Sequence, residues 1–191
     1  KGGTQNLEAY QLHLRAVSAI GQNTSSSLHA ANEYLEQAIK LDPSYGGAWA
    51  GLAGVALVKT GLGILDPTEG YARVRHLAQH ALRLSPELPG PHLSLQSVYL
   101  TLDRDWAAAE TEVQRALAID PANPGALMGA AMLSETFGRR DDAERQLRSA
   151  LARDPLNTWV INSLGLVYWK AGRFAEPEAM FRKLLELAPG F

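Results

Sequence analysis

Apolar residues recur along this chain at helical spacing, in short runs closed by glycine, aspartate or proline. Ala143, Leu147, Ala150 and Leu151 fall at i, i+4, i+7 and i+8, which is one face of an α-helix. The run before it, Pro124 to Phe137, is rich in Ala, Leu and Met. Gly138 closes that run, because glycine accepts positive φ at a helix end. Asp141 or a neighbour is placed to cap the next helix. Asp154-Pro155 ends it, since proline disfavours helical geometry in the residue before it. The same reading predicts a helix from Trp159 to Ala171, a stop at Gly172 and a helix from Phe174 to Leu187. Upstream it predicts Pro91 to Leu102, a turn at 103–105 and Trp106 to Ile119. Before those come Tyr45 to about Lys59 and Pro67 to Leu84, the second opened by an Asp66 cap with proline at the first helical position. Leu7 to about Ile20 and Ser27 to Leu41 flank a polar loop at 21–26. Ten helices in five pairs are expected.

The pairs are phased by proline. Pro86, Pro121, Pro155 and Pro189 stand 35, 34 and 34 residues apart, each five residues after Ala81, Ala116, Ala150 or Leu184. An earlier copy, Ala38 to Pro43, precedes Pro86 by 43. A fixed period of this size marks an array of one supersecondary unit. The expected organisation is a linker at 1–6 and an array over 7–191, with units at about 7–43, 44–86, 87–121, 122–155 and 156–189. The loop from Thr60 to Leu65 is expected to hold most of the longer step. The polar start at Lys1 reads as the front of a piece of a longer protein, whose targeting signals would lie elsewhere.

These units resemble tetratricopeptide repeats. The fifth carries Leu164-Gly165, Tyr168, Phe181 and Pro189 of that family's pattern, and the second carries Trp49, Leu52, Ala53, Ala81 and Pro86. The third offers Leu95, Tyr99, Ala109, Ala116 and Pro121, and the fourth Ala131, Ala143, Ala150 and Pro155. The resemblance implies an all-α solenoid, a right-handed superhelix in which small residues let paired helices approach. Pro177 departs from the pattern by replacing the first Ala of the second helix, and is tolerable only if that helix starts late.

Phasing on the family pattern also implies an inner, concave face. It places Ala50, Gly54 and Leu57 there from the second unit, and Leu93, Ser97 and Leu100 from the third. Met128 and Met132 follow from the fourth, and Trp159, Asn162, Leu166, Trp169 and Lys170 from the fifth. Repeats that clamp a peptide carboxylate carry Lys, Arg and Asn at such positions; only Asn162 and Lys170 qualify here. An apolar, Met- and Trp-rich face instead suits an amphipathic helix or a hydrophobic segment. The alternative is that Trp159 and Trp169 are covered by further chain or pack between units.

A narrower resemblance sits at residues 2–15, Gly-Gly-Thr-Gln-Asn-Leu-Glu-Ala-Tyr-Gln-Leu-His-Leu-Arg. It is similar to the segment opening the repeat region of bacterial multidomain regulators with an upstream winged-helix or adenylyl cyclase domain. His13 and Ala16 replace the aromatic and the Gly expected there.

Composition narrows the chemistry. Hydrophobic residues make up 46% of the 191 and charged residues 20%, enough to bury a core. The net charge of -2 gives no counterion-release term for nucleic acid. Cysteine is absent, which removes disulfides and thiolate sites. No apolar run is long enough to span a membrane. His76 and His80 have the i, i+4 spacing of two zinc ligands, but neither a third ligand nor an intervening Glu accompanies them. The acid pairs Asp103/Asp105 and Asp141/Asp142 fall where helices begin, so capping explains them. The reading is therefore a non-enzymatic module without cofactor or metal. It is expected to bind a protein or peptide on its concave face within a bacterial, cytoplasmic signalling or transcription regulator. A dimerisation arm for upstream effector domains, or a small-molecule sensor, are the alternatives.

Overall fold

A computed structural model describes residues 3–22 and 24–187 of the chain. Among them are ten α-helices and no strand: α1 (Leu7–Gln22), α2 (Ser25–Leu41), α3 (Gly46–Gly61), α4 (Pro67–Leu84), α5 (Pro89–Val98), α6 (Trp106–Ile119), α7 (Pro124–Thr136), α8 (Arg140–Arg153), α9 (Thr158–Lys170) and α10 (Ala175–Leu187). The fold is all-α and its helices follow one another as helix-turn-helix pairs. The chain forms two compact units, Lys1–Arg115 and Ala116–Phe191. The proline expected at the end of the last repeat, Pro189, lies outside the described residues, as do Lys1 and Gly2 of the expected linker and Asn23 of the first loop.

The proline period is a turn period. The residue before each proline closes the preceding helix: Asp42, Ser85, Asp120 and Asp154 donate their backbone N–H to the carbonyls of Ala38, Ala81, Ala116 and Ala150, at 2.8–3.0 Å. Their own carbonyls then accept from Tyr45, Leu88, Asn123 and Asn157, at 3.1–3.3 Å. Each proline thus occupies the second position of a four-residue turn, where its fixed φ is already correct. Asn123 and Asn157 go on to cap α7 and α9, accepting from the backbone N–H groups of Ala126 and Val160 at 3.1 Å.

The departures from a 34-residue period have identifiable causes. Between α5 and the loop before α6 the third unit has one residue more than the fourth, and Tyr99–Asp103 forms a π-turn there. A π-turn takes up one extra residue without breaking the helix. The 43-residue step is not mainly a loop, as expected from Thr60 to Leu65. α3 has 16 residues against 13 in α7, and α4 has 18 against 14 in α8. The loop itself, 62–66, is only a little longer than its counterpart at 137–139. Lengthened helices carry most of the extra chain. Pro177 sits in the first turn of α10, where a backbone N–H has no acceptor within the helix, so its missing donor costs nothing. α8 also differs from expectation. It begins after Arg139 with no side-chain cap, and Asp141 and Asp142 fall inside its first turn, where their charge favours the helix dipole.

Each unit has its own core. In the first, Leu12, Leu35, Leu52, Val55, Val74, Leu77, Leu95 and Val98 pack around fully buried alanines. In the second, Leu147, Val160, Leu164, Val167 and Tyr168 pack with Ala131, Ala143 and Ala150. Gly165 belongs to the same logic: a Cβ there would lie 2.8 Å from the Phe181 ring, so α9 and α10 approach at this point only because the residue is glycine. Ala150 is completely buried, whereas Ala152 is exposed. Ala150→Leu should therefore lower stability by about 1–3 kcal/mol through overpacking. Ala152→Leu should leave it unchanged within about 0.5 kcal/mol, as surface substitutions usually do. Equal urea midpoints for the two variants would contradict this packing.

Candidate functional site

In the second unit α7 and α9 both border one buried cluster and are tied by an ion pair. Ala131 of α7 shares a buried cluster with Val160 and Leu164 of α9, and Leu127 and Met128 pack against it. At the far end Lys170 Nζ reaches Glu135 Oε2 at 2.8 Å. On α9 the buried residues Val160, Ile161, Leu164, Val167 and Tyr168 leave a second face formed by Trp159, Asn162, Leu166 and Trp169 at steps of three, four and three. Trp169 is 58% exposed, and Met132, Trp159 and Leu166 each keep more than two fifths of their surface. Met128 and Asn162 are half-buried. Seven of the expected contact residues, Met128, Met132, Trp159, Asn162, Leu166, Trp169 and Lys170, thus lie on two neighbouring helices of one unit.

Of the two residues that suit a carboxylate clamp, Asn162 and Lys170, the second is constrained. Lys170 is engaged by Glu135, and a cation already held by a carboxylate has less to offer an incoming anion. Asn162 is the remaining polar side chain of the α9 face, so the surface left to a ligand is dominated by sulfur and indole.

The first unit fits the expectation less well. Leu57 of α3 packs against the core. Leu93 is half-buried on α5. Leu100 lies in the π-turn, so its position no longer follows the α-helical phase assumed for it. The large exposed apolar residues at the front of this unit are instead Leu7, Tyr10, Leu14 and Val17 of α1, which the inner-face phasing left unassigned. Their spacing of three, four and three was legible in the sequence.

The remaining chemical candidates are accounted for structurally. Asp105 caps α6, accepting from the Ala108 N–H at 2.9 Å, and Asp103 pairs with Arg75 at 2.6 Å. His80 is not simply solvated: its ring packs on Trp49, with centroids 4.2 Å apart, and burial followed by the charge of Arg83 lowers its pKa. Arg173 lies over the Tyr168 ring at 4.4 Å, and Arg148 Nε donates to the Tyr168 hydroxyl at 3.0 Å. Hydrogen bonds to Glu176 and then Glu144 raise the Arg173 pKa, which keeps this cation charged between α8 and α10. Next to it, a cavity of about 350 Å³ is lined by Leu151, Ile161, Tyr168, Ala179 and Met180, with Glu176 and Lys183. Among the described residues no three His, Asp or Glu side chains gather as a metal site requires, and no helix is long and apolar enough to cross a membrane.

Comparison with known proteins identifies repeats in the second half of the chain. Family models described as tetratricopeptide repeat match residues 100–157 and 160–191. No curated protein matches the sequence significantly. Among solved structures, TTC0263, a thermophilic TPR protein of Thermus thermophilus, aligns with a TM-score of 0.72 at 21% identity, covering 95% of this chain and 92% of that one. PilW, a widely conserved type IV pilus biogenesis factor, aligns with a TM-score of 0.63 at 18% identity over 97% of this chain and 80% of its own. YrrB, a TPR protein with an unusual peptide-binding site, gives 0.50 at 22% identity over 90% and 84%. At these identities the likeness is one of fold.

Proposed function

We propose, taking the tetratricopeptide repeats of residues 100–157 and 160–191 as the premise, that this chain is a protein-interaction module. Its second unit holds an apolar segment of a partner protein on the α7–α9 face. The carrying observation is the exposure of Met132, Trp159, Leu166 and Trp169 together on two adjacent helices whose other faces are buried. Monomeric proteins seldom expose several large apolar side chains in one patch without a use for it. Methionine adapts to the shape of a partner, and tryptophan contributes a large rigid area at small entropic cost. Leu57, Leu93 and Leu100 belong to the same reading in the first unit, as lesser contributors because they are already half-buried.

In this reading the chain does no chemistry of its own and needs no cofactor. Its net charge of -2 supplies no attraction for a phosphate backbone, so its partners are polypeptides. The resemblance of residues 2–15 supports a setting in a bacterial cytoplasmic regulator, beside a winged-helix or cyclase domain. The test is a fluorescein-labelled amphipathic helical peptide with Leu at i, i+3, i+4 and i+7, followed by anisotropy. Trp159→Ala combined with Trp169→Ala should weaken binding at least about a hundredfold, the loss of two anchors worth roughly 2 kcal/mol each being partly shared. Lys170→Ala should change it less than about threefold, as rim charges usually do. Undiminished binding by the double tryptophan variant would overturn the reading.

A further inference from the structure

The cavity of about 350 Å³ beside Arg173 is lined by none of the exposed residues of the α7–α9 face. α10 gives it Glu176, Ala179, Met180 and Lys183, whose spacing puts them on one side of a helix. α9 gives it Ile161 and Tyr168, and α8 gives it Leu151. Arg173, just before α10, covers the Tyr168 ring near the end of α9, and Lys183 reaches the Pro155 carbonyl ahead of its start. The cavity therefore runs along α10, with Tyr168 and Glu176 at one end and Lys183 at the other. Seven residues at 1.5 Å each set those ends roughly 10 Å apart.

The charges at the two ends are not equivalent. Glu176 Oε1 accepts from Arg173 Nε and Nη2 at 3.1 and 3.0 Å, and Arg173 also holds Glu144, which pairs with Arg148. That end is a closed network. At the other end the Lys183 ammonium donates to the Pro155 carbonyl at 3.1 Å, and among the described residues no carboxylate pairs with it. Asp154, which precedes that proline, is instead held by Asn157 at 3.0 Å. Arg148, Arg173 and Lys183 face the two carboxylates Glu144 and Glu176, so the positive charge left unmatched is the one on Lys183. An ammonium carries three donors, and only one of them is committed here. An apolar channel that ends on such a cation is complementary to an amphiphile with one negative head. We propose that this cavity binds a small aliphatic carboxylate, with its chain against Leu151, Ile161 and Met180 and its head on Lys183. An extended chain gains about 1.2 Å per bond, so an acid of about eight carbons fits the length. A cationic head would meet Lys183 at one end and, at the other, an acid already neutralised by Arg173.

The test is a titration of the 191-residue chain with octanoate, followed by amide chemical shifts in NMR. Shifts should centre on Leu151, Ile161, Ala179 and Lys183 and saturate with a Kd of roughly 0.1–1 mM, as about ten non-hydrogen atoms in an open site allow. Octanol and octylamine share the chain but lack the negative head, and should bind at least about fivefold more weakly. Lys183→Gln should weaken octanoate by about five- to tenfold and leave octanol unchanged, since only a charge-assisted hydrogen bond is lost. Ala179→Phe should fill the cavity and abolish octanoate binding. Lys183 and Ala179 are exposed, so both variants should keep the parent's thermal midpoint. Trp159→Ala with Trp169→Ala should leave octanoate binding unchanged, which separates this cavity from the α7–α9 face. The absence of saturable shifts up to about 10 mM, well above such a Kd, would overturn the proposal. So would shifts centred on α7 and the Trp159–Trp169 row, equal affinity for octanoate and octylamine, or undiminished octanoate binding by either the Lys183→Gln or the Ala179→Phe chain.

Discussion

Glu112→Ala should destabilise the first unit by about 3 kcal/mol, the upper end of what leaving a buried polar group without its hydrogen-bond partner costs. Glu112 is buried on α6, and its Oε2 lies 2.6 Å from Nδ1 of His92, itself buried on α5. Its other oxygen accepts from Arg115 Nη1 at 2.7 Å. Removal of the carboxylate has unequal consequences for the two partners. Arg115, with more than half its side chain exposed, can turn to water. His92 cannot, so an imidazole N–H is left buried without an acceptor. Replacing both residues by leucine should cost less than Glu112→Ala alone, because two apolar side chains orphan nothing. Trp49 and Trp106 lie in the first unit, Trp159 and Trp169 in the second. Urea unfolding in a background with Phe at 159 and 169 therefore reports the first unit. A loss below about 1 kcal/mol, the worth of one ordinary hydrogen bond, would show that the pair is not a structural tie.

Leu164→Ala should cost the second unit about 2–5 kcal/mol, the range for deleting a buried leucine that leaves a cavity. Leu164 is 1% exposed and packs with Ala131, Leu147, Val160 and Val167 on three helices. Those neighbours cannot all move inward, since Ala131, Ala143 and Ala150 already bring the helices close. The cavity therefore persists, and the value should fall in the upper half of the range. Trp159 and Trp169 fluorescence, in a background with Phe at 49 and 106, should record the shift. A thermal midpoint within about 2 °C of the parent, less than even 1 kcal/mol produces in a chain of this size, would mean that the core has collapsed around the site.

Both positions bear on what could be read in advance. Leu164 was recognisable as a core position from Leu164-Gly165 at the phase of the repeat, and α9 buries it. The tie between Glu112 and His92 was not foreseeable. Twenty residues separate the pair, and nothing in the local spacing marks Glu112 apart from the exposed acids around it. The α7–α9 face falls between these cases. Phasing on the pattern of the repeat family placed Trp159, Leu166 and Trp169 on one side of a helix. Their exposure, and the capture of Lys170 by Glu135, depend on which helices lie alongside.

By itself the sequence determined the helices and their turns: ten helices among the described residues, four described proline turns, the Asp66 cap, and the stops at Gly138 and Gly172, both at positive φ. These depend on interactions three to six residues apart, for which the residue type is nearly sufficient. Tertiary structure decided where extra chain was absorbed, as longer α3 and α4 and as a π-turn rather than as loop. It decided that Leu57 turns to the core while Trp169 stays in water, and that α1 keeps a second apolar face uncovered. Those outcomes are differences between packed alternatives of equal local propensity. Only the contacts made by distant helices separate them.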